Sequence, residues 1–301
     1  MSLPLPGDGG PQVPPPLERP RKPRLQLPAG ACDSHVHVYG PAARFPYAPE
    51  RPYTPQDAPV ERLWALYELL GISRAVYVQA TVHGYDNAAI LDAIRRDPQR
   101  GRGVALVRTD IAGRELQDLH VRGIRGVRFN FVKHLRETPD TDAVLRLAER
   151  IAPLGWHVQL HFGAQDLLEQ RAFLQALQSP FAIDHMGRTP VADGLRQEAC
   201  LALLEVLADE RAWIKLSGPE RISAVLSRGA AFPYDDVVPF ARQLLAAAPQ
   251  RAVWGTDWPH PNVREMPDDG DLVDLLAHYG DAATLQRLLV TNPARLYGFD
   301  L

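Results

Sequence analysis

The chain has 301 residues, 46% hydrophobic and 23% charged, with a formal net charge of −3. That balance suits a globular protein with a large core and offers no basic excess to draw nucleic acid or an anionic membrane. No apolar run reaches the ~20 residues of a spanning helix, and Cys32 and Cys200 are too few for a disulfide framework, so the expected compartment is the cytoplasm.

Residues 1–28 are rich in Pro and Gly and lack the continuous apolar core of a signal peptide. They read as a flexible, partly polyproline-like arm that packs loosely. From residue 29 onward the pattern changes. Short Val/Ile/Leu-rich runs read as strands at 31–39, 74–80, 101–107, 123–131, 156–162, 180–186, 212–217 and 251–257. Helical spacing separates them, as in VERLWALYELLG (60–71), NAAILDAIRRD (87–97) and YDDVVPFARQLLAAA (234–248). Gly71 sits where a helix C-cap belongs. Several strands are apolar on both faces, as parallel strands covered by helices should be. Eight β–α units over residues 29–301 predict an α/β fold, a single-domain (β/α)8 TIM barrel. A doubly wound sheet is the competing architecture. It loses support because no Gly-x-Gly-x-x-Gly follows the first strand and no Walker loop is present.

Barrel active sites lie at the C-terminal strand ends, and here those ends are polar. The first strand carries His35 and His37, which share a face if the segment is extended. The fourth carries Arg128 and Asn130, the fifth ends at His161, the sixth at Asp184 and His185, the seventh at Lys215 and Ser217, and the eighth at Asp257. Thr81, His83 and His260 follow closely after strand ends. One such residue is ordinarily a satisfied core group; this many converging is not explained by packing, because each buried polar group needs a partner. His157 reads as structural. Asp184 is expected to point away from His185 and to support the strand rather than react. An aspartate facing imidazoles can take a proton from water and return it to a leaving group. The imidazoles can polarise a carbonyl directly or hold a metal that does so. Arg128 and Arg221 offer forks for carboxylates, which points to a small organic anion as substrate.

These residues lie in CDSHVHVYGPAARFPYAPERPYTPQDAP, VHGYDNAAILDAI, GIRGVRFNFVK, GWHVQL, DHMGR, PERIS, PYDDVVPFAR, WGTDWPHPN and NPARLYGF. Over nearly all of residues 30–298 the chain resembles the amidohydrolase superfamily, in its 2-pyrone-4,6-dicarboxylate lactonase-like branch. The resemblance implies a hydrolase that opens a carboxylated lactone in aromatic-compound catabolism. It makes Asp257 the group that activates water and protonates the leaving enol, with His35, His37 and His185 polarising the carbonyl. Tyr53, Thr81, Arg128, Arg221, His260 and Asn262 would hold the substrate, together with the residues at two departures from the branch pattern. His134 stands where an arginine is expected, and His161 where a tyrosine is expected. His134 lacks the fork and is ordinarily neutral at pH 7.

His161 completes the set His35, His37, His161 and Asp257, which suits one Zn2+, although the branch implies no obligatory cofactor. No lysine stands on the fourth or fifth strand to bridge two metals. The alternatives are a 4-sulfomuconolactone-type hydrolase with Zn2+, an aldarolactone isomerase, a Zn2+-dependent decarboxylase and a non-enzymatic binding barrel. Neither nucleic acid nor membrane is expected as a partner, and oligomeric state is open.

Overall fold

The Val/Ile/Leu-rich runs become eight strands: β1 (Cys32–Val36), β2 (Arg74–Val78), β3 (Gly101–Ala105), β4 (Ile124–Asn130), β5 (His157–His161), β6 (Phe181–Ile183), β7 (Ala212–Leu216) and β8 (Ala252–Trp254). They pair in chain order, each parallel to the next. The computed structural model describes residues 10–132, 139–225 and 232–300; His134 lies outside the described residues.

Helices cross over between strands because parallel neighbours need a long return connection. The helix Val60–Leu70 buries Val60, Leu63, Leu66, Tyr67 and Leu70, one face at a spacing of three to four. It ends at Gly71, whose φ of 79° is left-handed and lets its N–H reach Tyr67 O. Thr141–Ile151 starts on Asp140, whose carboxylate accepts from the N–H groups of Asp142 and Ala143. It buries Val144, Leu147, Ala148 and Ile151 against the sheet. No helix among the described residues is long and apolar enough to cross a membrane.

The sheet is brought close to closure as a barrel by residues just beyond β8. Asp257 N donates to His35 O at 2.9 Å, and His37 N donates to Trp258 O at 2.8 Å. Within the seam the buried Asp33 carboxylate accepts from Thr256 N at 3.0 Å and Thr256 Oγ1 at 2.6 Å. The approach at this point requires glycine: a Cβ on Gly255 would lie 2.6 Å from His35 N. The first and last strands therefore present their polar ends side by side.

The N-terminal segment departs from the loose arm expected of its composition. Among its described residues, Val13 N donates to Thr54 O at 3.1 Å and Thr54 N to Pro11 O at 2.9 Å. Farther on, Arg21 N donates to both Asp268 oxygens, and the N–H groups of Arg24 and Leu25 donate to Asp274 Oδ1 at 2.7 and 2.8 Å. Residues 10–28 thus form a strap from the Tyr53 loop to the helix Asp269–Leu275. Proline removes competing conformations, while the backbone N–H groups that remain supply the anchors.

Candidate active site

Asp257 follows the end of β8 with φ at 67°, a left-handed value that few non-glycine residues adopt. His260 and Asn262, both at φ 59°, share this conformation, so the loop after β8 is held in a costly shape around the strand ends. The Asp257 carboxylate is 1% exposed. Its Oδ2 accepts from Arg221 Nε at 3.0 Å and from a second Arg221 nitrogen. Among the described residues its Oδ1 has no hydrogen-bond donor. Three imidazole nitrogens surround that oxygen: Nε2 of His37 at 3.4 Å, of His35 at 3.6 Å and of His185 at 3.9 Å. Burial alone would raise the Asp257 carboxyl; the Arg221 guanidinium outweighs it and holds the group well below the usual carboxylate range.

The far nitrogen of each imidazole has its own partner. His37 Nδ1 lies 2.8 Å from Val78 O, an obligate acceptor, so in its neutral form the lone pair sits on Nε2. His35 Nδ1 faces Asp184 Oδ1 at 3.3 Å. His185 Nδ1 meets Ser217 Oγ at 2.9 Å, a hydroxyl able to donate, which leaves a proton for Nε2. His161 Nδ1 lies 3.2 Å from Asn130 Oδ1, and its Nε2 is buried without a partner. Burial pushes His35 down to about 3, against the pull of Asp184, and lowers His161 and His185 well below the ordinary histidine range. These three imidazoles are neutral at pH 7.

A small cavity opens over this cluster. It is lined by His37, Tyr53, Thr81, Arg128, His161, His185, Arg221, Asp257 and Asn262, and also by Arg188. His35 lies beneath the lining, fully buried. His260 turns away: its Nε2 rests 3.0 Å from Asp269 Oδ1, tying the loop to the next helix. Arg221 is bound to Asp257 and, through a terminal nitrogen, to Pro261 O at 2.9 Å, so its fork is largely committed. Arg128 gives Nε to Asp184 at 3.0 Å. Among the described residues Arg188 has no acid within ion-pair distance, and burial lowers it to about 10. This residue was not singled out from the sequence. Its cationic side chain in DHMGR, three positions after His185, was the available signal.

His35, His37 and Asp257 offer ligand atoms within 4.8 Å of one another, as do His35, Asp184 and His185. The unpartnered His35 Nε2 and Asp257 Oδ1 fit a divalent cation. His161, the fourth residue of the expected ligand set, lies beyond His185, with ring centroids 5.2 Å apart. A larger surface groove of about 760 Å³ lies between the helices Ala88–Arg96 and Gly113–Val121. It has no comparable convergence: its Arg108 and Arg122 pair with Asp110 and Asp118.

The amidohydrolase family model matches residues 32–299. A 2-pyrone-4,6-dicarboxylate hydrolase of Comamonas testosteroni is 49% identical, covering 92% of this chain and 93% of that protein. A 4-sulfomuconolactone hydrolase of Rhizobium radiobacter is 44% identical, covering 90% of this chain and 91% of that one. Among solved structures, a putative 2-pyrone-4,6-dicarboxylic acid hydrolase from Pseudomonas putida superposes with a TM-score of 0.75 at 32% identity, covering 91% of this chain and all of that one.

Proposed function

The chain belongs to the amidohydrolase family, and from that premise we propose that it is a lactonase opening a small carboxylated lactone, with 2-pyrone-4,6-dicarboxylate as first substrate. The observation that carries this reading is the free Oδ1 of an ionised, buried Asp257 enclosed by three imidazoles. The similarity to the Comamonas testosteroni hydrolase supports the substrate class.

Asp257 Oδ1 takes one proton from water, and the oxygen left behind attacks the lactone carbonyl. The water's other proton is accepted by the Nε2 lone pair of His35 or His37, which aims the oxygen. The Nε2–H of His185 donates to the carbonyl oxygen, where negative charge develops. When the tetrahedral adduct collapses, the ring C–O bond breaks and the Asp257 proton passes to the departing enol oxygen. Arg221 keeps Asp257 ionised at the start. Arg128 and Arg188 receive the substrate's carboxylates, with Tyr53, Thr81, His161 and Asn262 shaping the rest of the cavity. A divalent cation, if bound, would be held by His35, His37 and Asp257 and would supply Lewis-acid polarisation of the carbonyl.

The test is loss of pyrone absorbance when the purified protein meets 2-pyrone-4,6-dicarboxylate, before and after exhaustive chelation. Rapid loss in both samples supports the reading without a metal. Loss abolished by chelator and restored by Zn2+ supports it with one. No loss in either rejects this substrate. A sulfonated muconolactone is the second substrate to try, because Arg188 and Arg128 suit a sulfonate equally and the Rhizobium radiobacter relative acts on one.

A further inference from the structure

Beneath the cavity lies a buried polar cluster that the proposed chemistry does not use directly. Asp184 is fully buried. It follows β6, whose last residue is Ile183, and its N–H donates to Leu160 O at 2.9 Å. Its Oδ2 accepts from Arg128 Nε at 3.0 Å and Gln159 Nε2 at 3.1 Å. Its Oδ1 lies 3.3 Å from His35 Nδ1 and 3.9 Å from Lys215 Nζ, and no described donor reaches it in hydrogen-bond geometry. One carboxylate therefore touches both an imidazole beside Asp257 and an arginine of the cavity wall.

Two groups compete for His35 Nδ1. Asp184 can only accept, which calls for a proton on Nδ1. Lys215 can only donate, which calls for a lone pair there, but it lies 3.5 Å away. Two of its three N–H bonds go to Gln159 Oε1 at 2.6 Å and Ser34 O at 2.9 Å, and the third is left between His35 Nδ1 and Asp184 Oδ1. The carboxylate lies closer to Nδ1 than the ammonium does, and its buried Oδ1 is the oxygen that still needs a donor.

We infer that Asp184 is a positioning residue that fixes His35 in its Nδ1–H tautomer, leaving the Nε2 lone pair beside Asp257, and at the same time holds Arg128 in the cavity wall. His37 reaches the same tautomer through Val78 O. The two imidazoles of His-x-His thus present matching lone pairs, one set by a backbone carbonyl and one by a buried carboxylate. A carboxylate behind an imidazole is a general means of fixing ring orientation.

Replacing Asp184 by Asn gives a sharp test. The amide oxygen satisfies Arg128 and Gln159, which are both donors, so the amide NH2 turns toward His35 Nδ1. An amide donor there forces the proton to Nε2, the wrong side for accepting from water. In D184N the 15N signature of His35, assigned by its loss in H35N, should change from protonated Nδ1 to protonated Nε2. Turnover should fall by about 10²–10⁴-fold, as for a histidine held in the wrong tautomer, with KM within about threefold because Arg128 keeps its acceptor. D184A, which frees Arg128, should raise KM as well.

The kinetic half of this test rests on the lactonase reading; the tautomer does not. A wild-type His35 already protonated on Nε2 would overturn the inference without any variant, even if D184N failed to fold. So would a folded D184N with an unchanged signature. A wild type inactive on lactones but showing Nδ1–H, inverted in D184N, would overturn the substrate and leave the inference standing.

Discussion

Arg221 and Asp257 divide the aspartate between two tasks. Arg221 binds Oδ2 alone, with Nε at 3.0 Å, and leaves Oδ1 among three imidazole nitrogens. One oxygen is anchored and charged; the other is free to accept a proton.

The first prediction concerns that free oxygen. Asp257→Asn preserves shape but cannot act as a base, so turnover should fall by about 10²–10⁴-fold. The thermal midpoint should move little, because Glu220 Oε1, 3.4 Å from Arg221 Nε, remains to balance the guanidinium. Progress curves and a melting scan on the same preparation check both. Near-normal turnover would remove Asp257 from the mechanism.

Among the described residues, Arg188 is the cavity arginine without an acid within ion-pair distance. Arg188→Met should raise KM for a dicarboxylated lactone by about tenfold or more, the loss of one charge-assisted contact, with kcat changed far less. A substrate analogue lacking one carboxylate should be bound almost equally by variant and wild type if Arg188 reads that group. Unchanged KM for the diacid would exclude the contact.

Acid should destabilise the fold well above the carboxylate range. His35 and His157 are pushed by burial to about 3, and His161 and His185 are also strongly lowered. Unfolded, each takes up a proton near pH 6.5, so between that value and the folded one the unfolded chain binds more protons. Stability is therefore full above about 6.5 and is lost as pH falls, by about 1.4 kcal/mol per pH unit for each imidazole. Asp33, raised by burial to about 7, acts in the opposite sense, as do Glu220, Asp268 and His260, which are raised too; the lowered imidazoles, with His83 and His120 added, number six against these four. The urea midpoint should be lower at pH 5 than at pH 7.5, and His157→Asn should flatten the slope by one proton. A midpoint that rises on acidification would contradict the sign.

The strap makes a prediction separable from catalysis. Asp274→Ala removes the acceptor for two backbone N–H groups and for Arg21. It should cost about 1–3 kcal/mol and open residues 10–28 to limited proteolysis. Equal protease resistance in the variant would show that these anchors do not hold the segment.

The barrel rhythm was legible because parallel strands buried on both faces must be apolar runs. The strand-end residues stood out because they interrupt those runs. Asp184 was misjudged for a definable reason. Alternation of faces holds only within a strand, and β6 stops at Ile183. Beyond it the chain enters a turn in which His185, Met186 and Arg188 have positive φ, so Asp184 and His185 both reach the interior. The same turn delivers Arg188, which no periodicity could place. The strap was read as loose because composition records prolines, whereas its anchors are backbone N–H groups paired with aspartates some 250 residues away. The family resemblance implies a substrate-holding role for His260; its bond to Asp269 depends on a helix start nine residues later.

The seam between β1 and the residues after β8 also sets when the protein can become chemically competent. Asp33 and Thr256 are 223 positions apart, so a growing polypeptide displays its paired imidazoles long before the acid that completes them exists. Chains cut short by nonsense codons or stalled translation would carry orphan histidines and no base. Activity in a cell extract would then count finished molecules alone.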